Sequence, residues 1–399
     1  MFSVASALAP SIGFLIGARA LQGAAAALLT PASLAIIVGA FPEKTRGAAI
    51  GAWTAWGGIA SIFGPLAGGL IVDAASWRWI FALNVPLIAV TLALVFAAVP
   101  ASSPARGRRL DLVGAGLAAL ALAGVVFGLI EEPRYGWSSG LTIGSLSTGA
   151  VCFVVFLAYE RRVPQPMLKL ELFRRRNFAV GNLETLTMYA GLAILFFFLT
   201  IFLQQVAGYS ALKSGLATIP VTIVMFALSR RFGAIADAIG PRRLMGAGPL
   251  VAAAGIFLLL RVGTSVGYVT DVLPAMLLFA LGLSMTVAPL TATVLAGADD
   301  SDAGIASAIN NAVARVAGLI GVSAVGAAIA GQLPGDTFAR NAASVTAFHH
   351  AIFICGVLVA AGGVTGLIGI EDPPHTVDAR SCAGGQLVGA PERAVVRSG

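Results

Sequence analysis

Long apolar runs separated by short polar segments make up most of this chain. The runs are about 20 residues long, which is the helix length needed to cross a hydrocarbon core of roughly 30 Å. Of the 399 residues, 58% are hydrophobic and 11% are charged, whereas a soluble domain is about one quarter charged. The sequence therefore predicts an all-α polytopic membrane protein rather than a soluble globular one.

Helix-breaking residues between the runs divide the chain into segments. A partial helix is predicted at 1–9, and about eleven full helices follow, at 13–40, 47–71, 79–99, 111–130, 141–160, 178–205, 211–229, 243–262, 272–296, 303–330 and 348–370. The predicted domains are an N-terminal helical half at 1–99, a linker with an inserted two-helix pair and a basic loop at 100–176, a six-helix half at 177–370, and a disordered polar tail at 371–399.

The basic residues indicate an orientation in the membrane. The chain has 25 Lys and Arg against 18 Asp and Glu, a formal charge of +7 and a pI of 9.8. These residues lie in short loops and form no basic patch interleaved with aromatic residues, so no nucleic-acid partner is predicted. When the loop around Lys44 and Arg46 is placed in the cytoplasm, most basic residues fall on that side, as the positive-inside rule requires. We therefore expect a multi-pass protein of the cell (inner) membrane, with 161–176 and the C-terminal tail in the cytoplasm.

One predicted helix contains a Gly-Pro pair and a Gly-Gly pair in close succession, at Gly64, Pro65, Gly68 and Gly69. In water each glycine in a helix costs about 1 kcal/mol and a proline about 3 kcal/mol. In a membrane, neighbouring helices satisfy the freed backbone groups, and glycines let two helices approach closely. Together with Gly51 in the same helix, the pattern predicts a bent and tightly packed transmembrane helix.

This glycine pattern, followed by Trp77-Arg78-Trp79, resembles the antiporter motif of the major facilitator superfamily. The Trp-Arg-Trp segment narrows the resemblance to its fourteen-helix drug:proton antiporters, the EmrB/QacA-like group. The resemblance covers about residues 1–370 and begins within the family's third helix, so 1–99 resembles an N-terminal half truncated at its start. It implies a major facilitator fold, with two helical halves around a midplane cavity and the pair at 111–160 inserted between them. Close packing at the glycines would seal one side of the transport path.

The helix at 13–40 carries Arg19, Gln22 and Gly23, which resemble the superfamily's Arg-x-x-Gln-Gly motif. Arg19 and Gly23 are four residues apart and share one helix face, where the glycine leaves room for a neighbouring helix. An arginine at this depth costs several kcal/mol unless a carboxylate, carbonyl groups or water surround it. The resemblance implies a role for these residues in proton coupling. The alternative is that Arg19 extends to the nearer membrane surface.

A second stretch resembles the superfamily's cytoplasmic Gly-x-x-x-Asp-x-x-Gly-x-Arg-Arg loop. Its matching residues are Gly233, Asp237, Gly240, Arg242 and Arg243. The resemblance implies that Asp237 faces a helix N-terminus or an arginine, as a charge latch that breaks when the transporter changes state. The alternative is a tight Gly-Pro turn with solvated arginines.

Two further ionisable residues, Glu184 and Arg315, lie inside predicted spans, where such residues are functional candidates by default. Glu184 would carry a proton if burial raises its pKa, or it would pair with an arginine. Asn310, Asn311 and Arg315 resemble a polar stretch found at this place in the family.

The function implied by the resemblance is proton-coupled export of small lipophilic or cationic drugs or metabolites, by an antiporter embedded in the lipid bilayer. No enzyme activity, cofactor or metal is predicted, because His349 and His350 stand alone and the three cysteines form no ligand cluster. Two alternatives remain open. One is an inactive truncated remnant, and the other is a superfamily transporter with a different coupling mode.

Overall fold

A computed structural model describes residues 1–27, 36, 64, 67–98, 111–298, 302–333, 337–372, 376–378 and 393–395. Within these residues, nine helices are long and apolar enough to cross a membrane, and Ile12–Ala26 is a shorter apolar helix. The predicted all-α polytopic architecture is confirmed. Most of the predicted helix at 47–71, including Gly51 and Pro65, lies outside the described residues.

The helices follow one another along the chain in a simple order. They are α1 Phe2–Ala7, α2 Ile12–Ala27, α3 67–74, α4 Trp77–Ala82, α5 Asn84–Ala98, α6 Leu112–Tyr135, α7 Gly140–Glu160, α8 Arg176–Ile201, α9 Ala211–Ile239, α10 Pro241–Leu258, α11 Leu273–Ala296, α12 Ala303–Ala330 and α13 Ala342–Gly369. Short 3₁₀ turns at Leu170–Arg174 and Leu259–Arg261 precede α8 and follow α10. One-turn π-helices at Phe202–Val206 and Tyr268–Val272 extend α8 and lead into α11.

Most predicted helix ends lie within a few residues of the observed ones, and α9 is the main exception. The sequence predicts a helix at 211–229, but α9 continues to Ile239. The apolar run ends before the helix does, because polar side chains after the run leave the backbone hydrogen bonds of the helix free to continue. Instead, Gly240 ends it with a φ of +86°, a conformation that glycine adopts without steric cost. Gly233 and Asp237, expected in a loop, therefore lie in the last turns of α9.

The six helices α8 to α13 form one packed bundle over the residues of the predicted C-terminal half. Within it, α8 packs against α11, α12 and α13, α10 packs against α11 and α13, and α9 packs against α11. Their shared interior is a fully buried apolar cluster that includes Leu195, Phe202, Phe279 and Phe348. The rings of Phe202 and Phe348 stack with centroids 4.1 Å apart. Other described helices lie against this bundle.

The two helices α6 and α7, predicted as an inserted pair, form a helical hairpin held together by small residues. A Cβ atom on Gly124 would lie 2.8 Å from the Cα of Gly149, so this approach requires glycine. The hairpin is attached to the bundle through contacts between α6 and α12. A salt bridge of 2.5 Å between Lys169 and Asp302 adds a second link, between the basic segment and the start of α12.

The described N-terminal part consists of α1 to α5, in which α1 packs against α2 and α4. Arg78 Nη2 donates a hydrogen bond of 3.1 Å to the Ala9 carbonyl and ties α4 to the turn between α1 and α2. The two ends of the bundle are named here by residues. The Arg176 end is where α8 begins and α13 ends, and the Ser210 end is where the chain passes from α8 into α9.

Part of the C-terminal tail is ordered by pairing. Thr376–Asp378 and Arg393–Val395 form a two-stranded antiparallel sheet, β1 and β2, with Val377 opposite Ala394. The expectation of disorder over 371–399 stays a prediction. Each strand contributes three residues, which makes this a minor addition to an otherwise helical chain.

Candidate functional site

The site begins where the glycine motif meets the bundle. A Cβ atom on Gly69 would lie 2.6 Å from the Cα of Leu212 and 2.9 Å from the carbonyl oxygen of Ala211. The backbone of α3 therefore lies directly against the first turn of α9. The same atom on Gly64 or Gly68 would meet no described atom within 4 Å. Of the motif glycines that the structure describes, Gly69 is the one that makes the close helix contact.

Asp73 lies one turn after Gly69 and makes a second contact with the same helix. Its two carboxylate oxygens accept hydrogen bonds from the backbone N–H groups of Ala211 at 3.0 Å and Leu212 at 2.8 Å. The hydrogen bond from Leu212, with contributions from Ser210 and Ala211, lowers the pKa of Asp73 below its ordinary value of 3.8. Sequence reasoning missed this residue. Its spacing of four from Gly69 on one helix face was the available signal.

Beside this contact lies a cavity of about 490 Å³ between α3, α4, α8 and α9. Its lining residues are Gly68, Gly69, Val72, Ile80, Phe196, Thr200, Gln204, Ala211, Ser214, Gly215, Thr218 and Thr222. A volume of this size is in the range of small-molecule sites. The cavity therefore lies between the N-terminal part and the bundle, near the Ser210 end.

The polar groups of the cavity are hydroxyl and amide groups, and none of its described lining residues is ionisable. Three of the hydroxyls donate to their own helices, from Thr200 to Phe196 O, from Ser214 to Ser210 O and from Thr218 to Gly215 O. Their oxygen lone pairs are left to accept from a ligand. With apolar walls around them, these groups suit an amphipathic molecule.

Arg19, Gln22 and Gly23 lie on α2, outside this cavity lining. Arg19 Nη1 donates to Gln22 Oε1 at 2.7 Å, and Gln22 Nε2 donates to Ser3 Oγ at 2.9 Å. The Arg19 guanidinium also lies 5.3 Å from the ring centre of Phe81. Among the described residues Arg19 is exposed, and a Cβ atom on Gly23 would meet nothing within 4 Å. The motif therefore forms a local polar chain that joins α2 to α1, and its role in proton coupling stays a prediction.

Glu184 is buried in α8, with no exposed surface. Neither of its carboxylate oxygens has a hydrogen-bond partner among the described residues. Two glycines of α13 make room for it. A Cβ atom on Gly366 would lie 2.9 Å from Glu184 Oε2, and one on Gly362 would lie 3.8 Å from its Cγ. The expected alternative of an arginine partner finds no support in the described part of the chain.

The polar stretch on α12 contacts α8 next to Glu184. Asn310 Nδ2 donates to Thr185 Oγ1 at 2.7 Å and to Asn182 Oδ1 at 3.3 Å. Asn311 bonds only within its own helix, to Ser307 O at 3.0 Å. Arg315 is exposed and has no hydrogen bond or ion pair with the described residues. The structure brings Asn310, and not Arg315, to the neighbourhood of Glu184.

At the Arg176 end, the expected charge latch has a different set of contacts. Asp372 Oδ1 accepts from the backbone N–H of Arg242 at 3.0 Å, and Arg242 Nε donates to Leu367 O at 2.6 Å. Asp237 and Arg243 are exposed and make no hydrogen bond within the described residues. Arg242 therefore holds the end of α13, while the partner of Asp237 stays a prediction.

Arg176 makes a similar contact at the same end. It donates to Gly369 O at 2.8 Å and Ile368 O at 3.0 Å and forms an ion pair of 2.6 Å with Glu371. Cations near the last carbonyls of a helix are favourable because of its dipole. The described residues contain no group of three or more His, Cys, Asp or Glu placed to hold a metal ion.

The chain is similar to one protein family and to several curated proteins. The family model described as Major Facilitator Superfamily matches residues 1–322. "Multidrug resistance protein Stp" of Mycobacterium tuberculosis is 35% identical over 337 residues, which cover 83% of this chain and 62% of that protein. "Tetracenomycin C resistance and export protein" of Streptomyces glaucescens is 30% identical over 340 residues, covering 84% of this chain and 62% of that protein. The chain thus spans less than two thirds of the length of these relatives.

A solved structure of the peptide transporter POT has a similar fold. It superposes with a TM-score of 0.63 at 14% identity and covers 93% of this chain and 78% of that one. At this identity the likeness concerns the arrangement of the helices.

Proposed function

Because the chain belongs to the Major Facilitator Superfamily, we propose that it exports small lipophilic or cationic molecules in exchange for protons, as a member of the fourteen-helix drug:proton antiporter group. The relatives named for multidrug resistance and for tetracenomycin C resistance and export support this choice of substrate class. The observation that carries the proposal is the cavity between the N-terminal part and the bundle. Its apolar walls and uncharged hydroxyl groups suit amphipathic ligands.

Transport through this cavity requires that the two parts of the protein move against each other. In the described arrangement, Gly69 lies against Leu212 at the wall of the cavity. Rocking of one part against the other about a ligand at their interface would open it there and close it elsewhere. We propose that the protein lies in the inner membrane and that its Arg176 end faces the cytoplasm, since the basic loops lie at that end.

Glu184 is the proposed proton carrier. Among the nine described spans it is the most deeply placed acidic residue, and it is fully buried without a partner. An isolated carboxylate in such surroundings is strongly unfavourable, so this packing accommodates the neutral acid. Movement of α8 against α13 would admit water, release the proton and so link protonation to conformation. We also propose Arg19 as a second coupling residue, because it belongs to the Arg-x-x-Gln-Gly motif.

An efflux assay tests the proposal. The chain is expressed in a bacterial host that lacks its own multidrug pumps, the cells are loaded with ethidium, and fluorescence loss is followed with and without a protonophore. We expect efflux that stops when the proton gradient is collapsed. Thr218→Phe, which fills the cavity, should remove this efflux, whereas Thr365→Phe, at a half-buried position of α13 outside the cavity lining, should not.

The coupling residue is tested in the same cells. Glu184→Gln keeps a neutral polar side chain but cannot release a proton, so gradient-driven efflux should be lost at an unchanged membrane level of the protein. Absence of efflux from the parent chain at a verified membrane level would instead favour the inactive remnant. Efflux that is equal with and without the protonophore would favour a different coupling mode.

A further inference from the structure

We propose that Asp73 is a breakable lock that holds the Ser210 end of the cavity closed by binding the N-terminus of α9. The purpose of this lock rests on the proposed transport function. The contact itself and the experiment that tests it do not depend on a substrate or a proton gradient.

The lock joins two segments that are distant in the sequence. Asp73 and the N–H groups that it binds, at Ala211 and Leu212, are separated by 138 and 139 residues. The first N–H groups of a helix have no partner within that helix. The Ser210 hydroxyl accepts from Lys213 N at 3.2 Å, so Ser210 caps one of these groups and Asp73 caps two others. The start of α9 is thus capped partly by its own chain and partly by the N-terminal part of the protein.

The residues around this contact also line the cavity. Gly69 and Val72 flank Asp73 on α3, while Ala211 and Ser214 lie on the first turns of α9, and all four belong to the cavity lining. The wall of the cavity at this point is therefore the contact between α3 and α9. For the cavity to open at this end, the two helix ends must separate and the hydrogen bonds of Asp73 must break.

The chemistry of the contact suits a reversible lock. A carboxylate at a helix N-terminus is stabilised by the helix dipole and by charge-assisted hydrogen bonds. These bonds lower the pKa of Asp73, so the residue stays ionised at neutral pH. Because its pKa is lowered, the stabilisation is present above the ordinary value of 3.8 and is lost as the pH falls through the lowered pKa. Asp73 is also exposed, so water can replace its partners when the helices part.

Asp73 acts on transport through the position of α9, so its test must report on opening of the cavity. A cysteine is introduced at Thr218, which lines the cavity, in a background whose three native cysteines are replaced. A membrane-impermeant maleimide is applied to membrane vesicles of both orientations, and Lys213→Cys, which is exposed, identifies the face of the Ser210 end. The quantity measured is the labelling rate of the cysteine at 218 from that face.

We expect Asp73→Ala to raise this labelling rate by about five-fold, the order of effect of losing a charged helix cap. Gly69→Ala should raise it as well, because the added methyl group meets Leu212 Cα at 2.6 Å. The matched control is Asp271→Ala at the same end. Asp271 Oδ2 accepts from Gly267 N at 2.8 Å, within its own turn, and bridges no helices. Its loss should leave the rate unchanged.

The result that overturns the lock is an unchanged labelling rate in both Asp73→Ala and Gly69→Ala, with each protein eluting as a single species in size-exclusion chromatography. Equal acceleration by Asp271→Ala would also overturn it, since the effect would then be general loosening. Faster labelling without any efflux from the parent chain would leave the lock standing and contradict the proposed export instead.

Discussion

Glu184 has the least favourable surroundings of any ionisable side chain described in this bundle. It is fully buried, its two oxygens have no described partner, and glycines of α13 lie against it. An ionised, unpaired carboxylate there would cost several kcal/mol, whereas a neutral acid costs what an unsatisfied polar group costs, about 1–3 kcal/mol. The sequence alone shows that Glu184 lies inside a span. That its neighbours are glycines, and not an arginine, depends on which helices meet, and one sequence does not reveal this.

The first prediction concerns the charge state of Glu184 in the folded protein. Glu184→Gln should change the free energy of unfolding by less than about 1 kcal/mol, because the neutral amide has the shape of the neutral acid. Glu184→Arg should lower it by about 3 kcal/mol or more, since a full charge is then buried without a partner. The measurement is an SDS titration of the purified protein followed by circular dichroism. Glu171→Gln, at an exposed position, is the control. Equal losses for Gln and Arg at 184 would show that the native side chain is ionised and paired.

At the scale of the helix, small residues decide how closely elements approach. Gly248, Ala252 and Gly255 repeat on one face of α10, and Gly282 of α11 lies against this face. A Cβ atom on Gly282 would overlap Ala252 N and Gly248 O, and one on Gly248 would lie 2.9 Å from Gly282 O. Apolar runs in the sequence place these helices correctly to within a few residues. The pairing of the two glycine faces was not visible, because many glycines in the chain face open space.

The second prediction tests this interface. Gly282→Ala should lower the free energy of unfolding by about 1–3 kcal/mol, because the backbones must separate to admit the methyl group. Gly326→Ala on α12, where a Cβ atom would meet nothing within 4 Å, should be neutral or slightly stabilising through helix propensity. Both variants are compared with the parent by the same SDS titration. If the two variants behave alike, the close approach of α10 and α11 is not a source of stability.

At the scale of the whole molecule, the arginines of the Arg176 end serve the fold as well as the orientation. Arg176 and Arg242 bind the last carbonyls of α13 and thereby connect the ends of α8, α10 and α13. The sequence shows how many arginines lie in these segments, and it shows the membrane orientation that they indicate. Their partners could not be read from the motif. Asp237 was expected as the acidic member of the latch at this end, but the described contact is made by Asp372, whose distance along the chain hides it from motif comparison.

The last prediction is that the Arg176 end and the Ser210 end lie on opposite sides of the membrane, with the basic side in the cytoplasm. Arg174 and Lys213 make a matched pair for this test, because both are exposed basic residues in or beside short connections, and α8 lies between them. In intact cells an impermeant maleimide should label Lys213→Cys, and should label Arg174→Cys only after the membrane is opened. The parent chain with its three native cysteines gives the background labelling. The positive-inside rule favours this result because moving a cluster of arginines across the bilayer is strongly opposed. Labelling of both positions from outside would mean that α8 does not cross the membrane. The number of membrane-crossing helices inferred for the chain would then be wrong.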